Sequence, residues 1–157
     1  MEGKSELIAS TPDREVAHNR LLNASPDLVF RAWTEPQHLK KWWGPNGFTN
    51  TFEEFEPVQG GCWKFVMHGP DGKNYQNECK FLLLEPFSLI IFDHISPPVF
   101  RIVAGFETME NNTLLTWKMI FPTKEEFEKL RAFVAEKNEE NLDRLEAELT
   151  QMQSQKK

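Results

Sequence analysis

Tyrosine is nearly missing from this chain: one occurs against thirteen phenylalanines and five tryptophans. Aromatic mass with so few hydroxyls suits an apolar interior, either a packed core or the lining of a greasy cavity. Basic charge is in deficit as well, with 18 Lys and Arg facing 24 Asp and Glu for a net charge of −6. General nucleic-acid binding is thereby disfavoured, because it needs a basic face to displace counterions from phosphate, and the Lys156-Lys157 pair is too short to supply one. No apolar run approaches the roughly 20 residues that cross a bilayer, so membrane insertion is not expected. The polar start Met1-Glu2-Gly3-Lys4-Ser5-Glu6 lacks the apolar centre of a signal peptide, and a cytoplasmic location is the expectation.

The two cysteines and four histidines are dispersed, without a Cys-x-x-Cys pair, so neither a metal site nor a disulfide framework is expected. Cys62 and Cys79 fall on the two arms of one expected hairpin. A one-residue change of register there puts them on opposite faces, and a reducing cytosol favours free thiols in either case. The nucleophile elbow, the zinc-helix motif, the phosphate loop and the dinucleotide fingerprint are all missing. No cofactor is expected.

What the chain does have is a pair of adjacent tryptophans between a short helix and a Gly-Pro break, in Thr34-Glu35-Pro36-Gln37-His38-Leu39-Lys40-Lys41-Trp42-Trp43-Gly44-Pro45. Thr34 is suited to cap a helix in which Pro36 occupies the first turn, and Gly44-Pro45 stops it. Neighbouring helical residues lie about 100° apart, so one indole should be buried and the other should lie nearer a cavity mouth. Upstream, Ser25-Pro26-Asp27 supplies a cap, a first-turn proline and a first-turn acid for another short helix whose buried side is Leu28, Val29, Ala32 and Trp33.

A strand is expected over about residues 14–22. Six more should follow, over about 48–56, 62–68, 75–84, 89–93, 100–109 and 114–121, punctuated by Gly69-Pro70-Asp71-Gly72, Glu85-Pro86, Pro97-Pro98 and Glu110-Asn111-Asn112. Thr123-Lys124-Glu125-Glu126 reads as a capping box. It opens a helix in which Phe127, Leu130, Phe133 or Val134, Leu142, Leu145, Leu149 and Met152 form an apolar stripe, interrupted by a polar gap at residues 137–141. Alternation puts Trp63, Phe65 and Met67 on one face of their strand, and Leu115, Trp117, Met119 and Phe121 on one face of theirs. Joined by Tyr75, Cys79 and Phe81, they form the candidate inner face; Lys64, His68, Lys80, Thr116 and Lys118 face out. Residues 1–12 read as a flexible tail, 13–152 as one domain, and 153–157 as a second tail.

The order of these pieces, with Ala24–Pro36, Trp42-Trp43-Gly44-Pro45-Asn46-Gly47-Phe48 and the Gly60-Gly61 strand, resembles the activator of heat-shock-protein-ninety ATPase homologue-like domains. These belong to the broader SRPBCC, or START-like, superfamily of lipid-transfer, polyketide-cyclase and pollen-allergen-like proteins. The resemblance covers about residues 13–150 and, for the characterised activators, concerns their C-terminal half. It implies an α+β helix-grip fold: a seven-stranded curved antiparallel sheet wrapped around a long C-terminal helix, with two short helices after the first strand.

The superfamily commonly holds a ligand between sheet and long helix. The candidate lining is therefore Trp33, Trp43, Phe48, Trp63, Phe65, Met67, Tyr75, Cys79, Phe81, Trp117, Met119, Phe127, Leu130 and Val134. Methionine and phenylalanine suit adaptable contents. Asp93-His94 places an acid beside a base, but adjacent strand residues point to opposite faces, so no relay is expected. His18, His38 and His68 read as surface or satisfied polar groups, and Glu136 to Glu148 as the wet face of the last helix. The leading expectation is a non-catalytic binder of a small apolar or aromatic molecule. A cyclase- or hydrolase-like enzyme and a co-chaperone of a heat-shock ATPase are the alternatives, with a second copy of the chain as a further candidate partner.

Overall fold

Pro26 and Asp27 open a helix because a fixed φ and an acid both suit a first turn. The computed structural model, which describes residues 4–9 and 11–155, builds outward from that region. A single turn α1 (Lys4–Leu7) precedes β1 (Glu15–Leu22), then α2 (Pro26–Thr34) and α3 (Pro36–Trp42). Six strands follow: β2 (Thr49–Phe55), β3 (Cys62–His68), β4 (Asn74–Glu85), β5 (Leu89–His94), β6 (Phe100–Met109) and β7 (Asn112–Ile120), and α4 (Lys124–Gln155) closes the chain. The strands form one antiparallel sheet in the order β1-β7-β6-β5-β4-β3-β2. α4 packs against β1, α2 and α3, giving the curved sheet and long helix of the helix-grip arrangement.

Local expectations are corrected at some points and met at others. Glu35, not Thr34, is the residue shared between α2 and α3: it caps both, while the Thr34 hydroxyl donates to the Phe30 carbonyl. Thr123 caps α4 by accepting from the Glu126 N–H at 3.2 Å. Cys62 and Cys79 are one register step apart, since Cys79 pairs with Trp63 and Cys62 with Lys80. They therefore lie on opposite faces as free thiols, and burial pushes the Cys79 thiol well up. A bulge between Phe52 and Glu54 turns both Phe52 and Phe55 toward Trp63, as an extra residue in one strand does. Residues 4–9 are not wholly free: Leu7 is buried against Leu89, Ile91 and Val103 on the outer face, and Lys4 pairs with Glu85 at 2.8 Å. α4 runs past the expected limit at Met152, and the Gln153 amide donates to the Asn23 carbonyl. The rest of the expected tails, residues 1–3, 10, 156 and 157, lies outside the described residues.

The core fills one end of the sheet. Leu142, Leu145, Leu149 and Met152 of α4 are buried there, each aliphatic side chain contributing about 1.5–3 kcal/mol by leaving water. All five tryptophans join one aromatic cluster, with Trp43 in ring contact with Trp33, Trp42, Trp63 and Trp117 at centroid distances of 5.4–6.0 Å. Trp63 stacks between Phe65 and Phe81, its ring 18° and 11° from parallel to theirs.

Candidate functional site

Between Phe133 and Asn141 α4 leaves space above the sheet. A cavity of about 790 Å³ remains between the sheet and the first half of the helix, within the range of about 300–1,000 Å³ usual for small-molecule sites. Its walls follow the strand register. Met67 pairs with Tyr75, His94 with Phe100, and Ile102 with Met119, so these lining residues lie across neighbouring strands. Trp117 and Trp43 form the floor toward the core, stacked at 5.8 Å and 27°. From α4 come Phe133, Val134, Lys137, Asn138 and Asn141, and from the loop after α3 come Gly44, Pro45, Asn46 and Phe48.

Of the residues expected from sequence, Trp43, Phe48, Met67, Tyr75, Trp117, Met119 and Val134 line this space. Trp33, Trp63, Phe65, Cys79, Phe81, Phe127 and Leu130 do not. For the strand residues among them, alternation identifies the face of the sheet but not the position along it. Trp63, Phe65 and Phe81 are consumed by their own stack; Trp33 lies behind Trp43, and Cys79 is wholly buried. Phe127 turns to Phe121, and Leu130 packs on the core cluster.

The tryptophan pair divides its work. Trp42 is fully buried and its indole N–H donates to the Ala32 carbonyl at 2.9 Å, while Trp43 is nearly as buried but contributes to the cavity. Gly44 follows at φ +98°, where a β-carbon would meet the Met67 methyl at 2.6 Å. This loop is fastened to α4 by two side chains in the stretch that sequence reading treated as polar gap and wet face. Asn141 accepts from the Gly44 N–H and donates to the Trp42 carbonyl. The Arg144 guanidinium donates to the carbonyls of Lys41, Trp43, Gly44, Pro45 and Phe48 at 2.8–3.2 Å. It gathers the carbonyls of the segment where α3 ends, sharing that of Trp43 with Asn50 and that of Pro45 with the Phe48 N–H, and burial lowers its pKa.

The remaining polar groups divide: the Trp117 indole N–H is buried without a partner, whereas Asp93, His94 and Lys137 are engaged. His94 points inward and Asp93 outward, where Asp93 accepts from Arg101 Nε at 2.6 Å. His94 Nδ1 donates to the Pro98 carbonyl, Nε2 lies 2.7 Å from the Asn77 amide oxygen, and the ring is nearly parallel to Phe100 at 4.6 Å. Burial lowers its pKa, against hydrogen bonds to the Pro98 and Ser96 backbone. Both ring nitrogens thus lie against protein groups. Lys137 is the permanently charged side chain among the described lining residues; it pairs with Glu140 at 3.4 Å and lies over the Phe133 ring.

Of the histidines expected to be surface or satisfied polar groups, His18 and His38 are buried and paired. His18 pairs with Glu139, and His38 with Glu148, each at 2.6 Å. Glu148 is itself buried, which corrects its assignment to the wet face. Burial alone would raise the Glu139 carboxyl, but hydrogen bonds from His18 and Arg20 outweigh it and hold the group below its ordinary value. His68, half-buried on the outer side, bonds Thr51 and Asn74. Among the described residues, no cluster of His, Cys, Asp and Glu is arranged to hold a metal, and no helix is long and apolar enough to cross a membrane.

Sheet, gripped helix and the space between them define a helix-grip α+β domain. The chain belongs to the family described as activator of Hsp90 ATPase homolog 1-like protein, which it matches over residues 23–150. Its fold is shared with a crystal structure of a protein from Nitrosomonas europaea at 22% identity and TM-score 0.85, covering 92% of this chain and 99% of that one. It is likewise shared with a solution structure of a protein from Arthrobacter aurescens, at 24% identity, TM-score 0.83 and 92% of each chain. A crystal structure of an AHSA1 protein from Silicibacter pomeroyi matches at 19% identity and TM-score 0.71, over 88% of this chain and 99% of that one. Comparison with curated proteins gives no match.

Proposed function

We propose that this protein binds a small apolar or aromatic molecule, without catalysis, in the cavity between the sheet and α4. The supporting observation is the cavity itself: about 790 Å³ bordered by Trp43, Met67, Phe100, Ile102, Trp117 and Met119. α4 supports the same reading. Its apolar stripe turns polar at Lys137, Asn138 and Asn141, where it borders the cavity, and is apolar again from Leu142 onward, where it packs on protein. A cyclase- or hydrolase-like activity has less support, since both ring nitrogens of the inward histidine lie within 2.8 Å of protein oxygens.

Titration with the uncharged fluorophore N-phenyl-1-naphthylamine tests the reading. Saturable one-to-one binding is expected, and its loss in Met119→Trp, which fills the space, with the melting temperature preserved. Equal binding to both proteins, or none to either, contradicts it. Family membership supports a second reading, contact with a heat-shock ATPase; stimulation of that ATPase by the purified chain is its test. A cytoplasmic location and a paired copy belong to the same proposal, checked by fractionation and sedimentation.

A further inference from the structure

Asn138 sits in the middle of α4, only 8% exposed, in the wall of the cavity. Its amide differs from those of Asn141 and Asn77 in the same lining. Asn141 spends both ends of its side chain on the Trp42-Trp43-Gly44 loop, and Asn77 is held between His94 and the Tyr75 carbonyl. Asn138 has a single contact of this kind, from its NH₂ to the thioether of Met119 at 3.8 Å. Sulfur is a weak acceptor, and no described residue donates to the Asn138 oxygen. A buried amide left short of partners costs roughly 1–3 kcal/mol, whereas Leu at this place would simply continue the apolar stripe. Because Asn138 lines the cavity, the cavity contents are placed to supply what the protein does not.

Charge narrows the contents further. Lys137 pairs with Glu140 at 3.4 Å, and the His94 ring lies between the Pro98 carbonyl and the Asn77 amide. A charged ligand would have to compete with Glu140 for Lys137, the one permanent charge among the described lining residues, and an unpaired buried charge is strongly unfavourable. We propose that the ligand is an uncharged molecule with an aromatic or similarly flat apolar body and one hydrogen-bonding group, a hydroxyl or carbonyl, and that Asn138 binds that group. This inference rests on the binding reading above.

Four probes sharing one apolar body separate the possibilities: naphthalene, 2-naphthol, 2-naphthoate and protonated 2-(aminomethyl)naphthalene, each titrated against the full chain with tryptophan emission as the signal. 2-Naphthol should bind about three- to tenfold tighter than naphthalene, the value of one net hydrogen bond, and both charged probes should bind more weakly than 2-naphthol. In Asn138→Leu the preference for 2-naphthol should vanish while naphthalene affinity stays within about twofold, because the apolar contacts are untouched. Asn138→Ala provides the same test on a helix-favouring side chain should the leucine variant fold poorly.

A preference for 2-naphthol that survives both substitutions, equal affinity of all four probes, or selection of a charged one overturns the assignment while leaving a binding cavity. Failure of every probe to bind overturns the binding reading itself.

Discussion

Replacing Arg144 by methionine should loosen the loop that carries Trp43 and weaken both stability and ligand binding. The guanidinium serves five carbonyls of residues 41–48 at 2.8–3.2 Å, with three of these sharing Nη1. Hydrogen bonds with one charged partner contribute about 1.5–3 kcal/mol each when well formed, but shared donors and partial exposure reduce the yield. A total near 2–4 kcal/mol is the expected loss. Methionine retains the aliphatic stem, so little of this is lost packing. Lysine keeps the charge without the planar fork, and Arg144→Lys should recover less than half.

Urea unfolding followed by tryptophan emission reads the stability, and N-phenyl-1-naphthylamine titration reads the cavity wall. If Arg144→Met unfolds within about 0.5 kcal/mol of the parent and binds the probe unchanged, the guanidinium is not what holds this loop.

Trp42→Ala should cost about 3–5 kcal/mol, as truncation of a large core aromatic does, and should also leave the Ala32 carbonyl without its indole donor; chemical denaturation measures it. Trp43→Ala should in addition open the cavity floor, so probe affinity should fall more in that variant than in Trp42→Ala; equal losses would make both plain core. His94 gives a pH dependence of known sign. Its folded pKa lies below the ordinary 6.5 because burial disfavours the charged ring, so below that pH the unfolded chain takes up a proton that the folded chain does not. The His94 contribution is fully present above pH 6.5 and lost as the pH falls through the folded value; urea unfolding across that window should show a smaller decline in His94→Gln than in the parent.

Much of the fold was legible because its signals are local. Ser25-Pro26-Asp27 and Thr123 mark helix starts, Gly69-Pro70-Asp71-Gly72 marks the β3–β4 hairpin, and alternation in β3 and β7 separates inner from outer faces. The site was harder to read because depth along a strand has no local signature. Trp63 and Met67 share a face four residues apart, yet one lies in a closed aromatic stack and the other in the cavity wall. His94 illustrates a second gap: alternation separates it from Asp93, but nothing in the dipeptide says which of the two points in. Asn138 and Asn141 had a signal that went unused. They fall on the helical period of the apolar stripe, and a polar residue at an apolar position marks a place where the helix faces something other than core. Arg144 and Glu148 left no such trace, since their partners are backbone carbonyls and a histidine about a hundred residues earlier in the chain.

The central claim is that the space between sheet and α4 receives a ligand, and the methionines report on it directly. Met67 and Met119 line the cavity, whereas Met109 is exposed on β6 and Met152 is buried under the far end of α4. With methyl-labelled methionine, titration of 2-naphthol should shift the Met67 and Met119 resonances saturably and leave Met109 and Met152 in place. Unmoved Met67 and Met119 resonances, or shifts spread evenly over all four, would contradict the account.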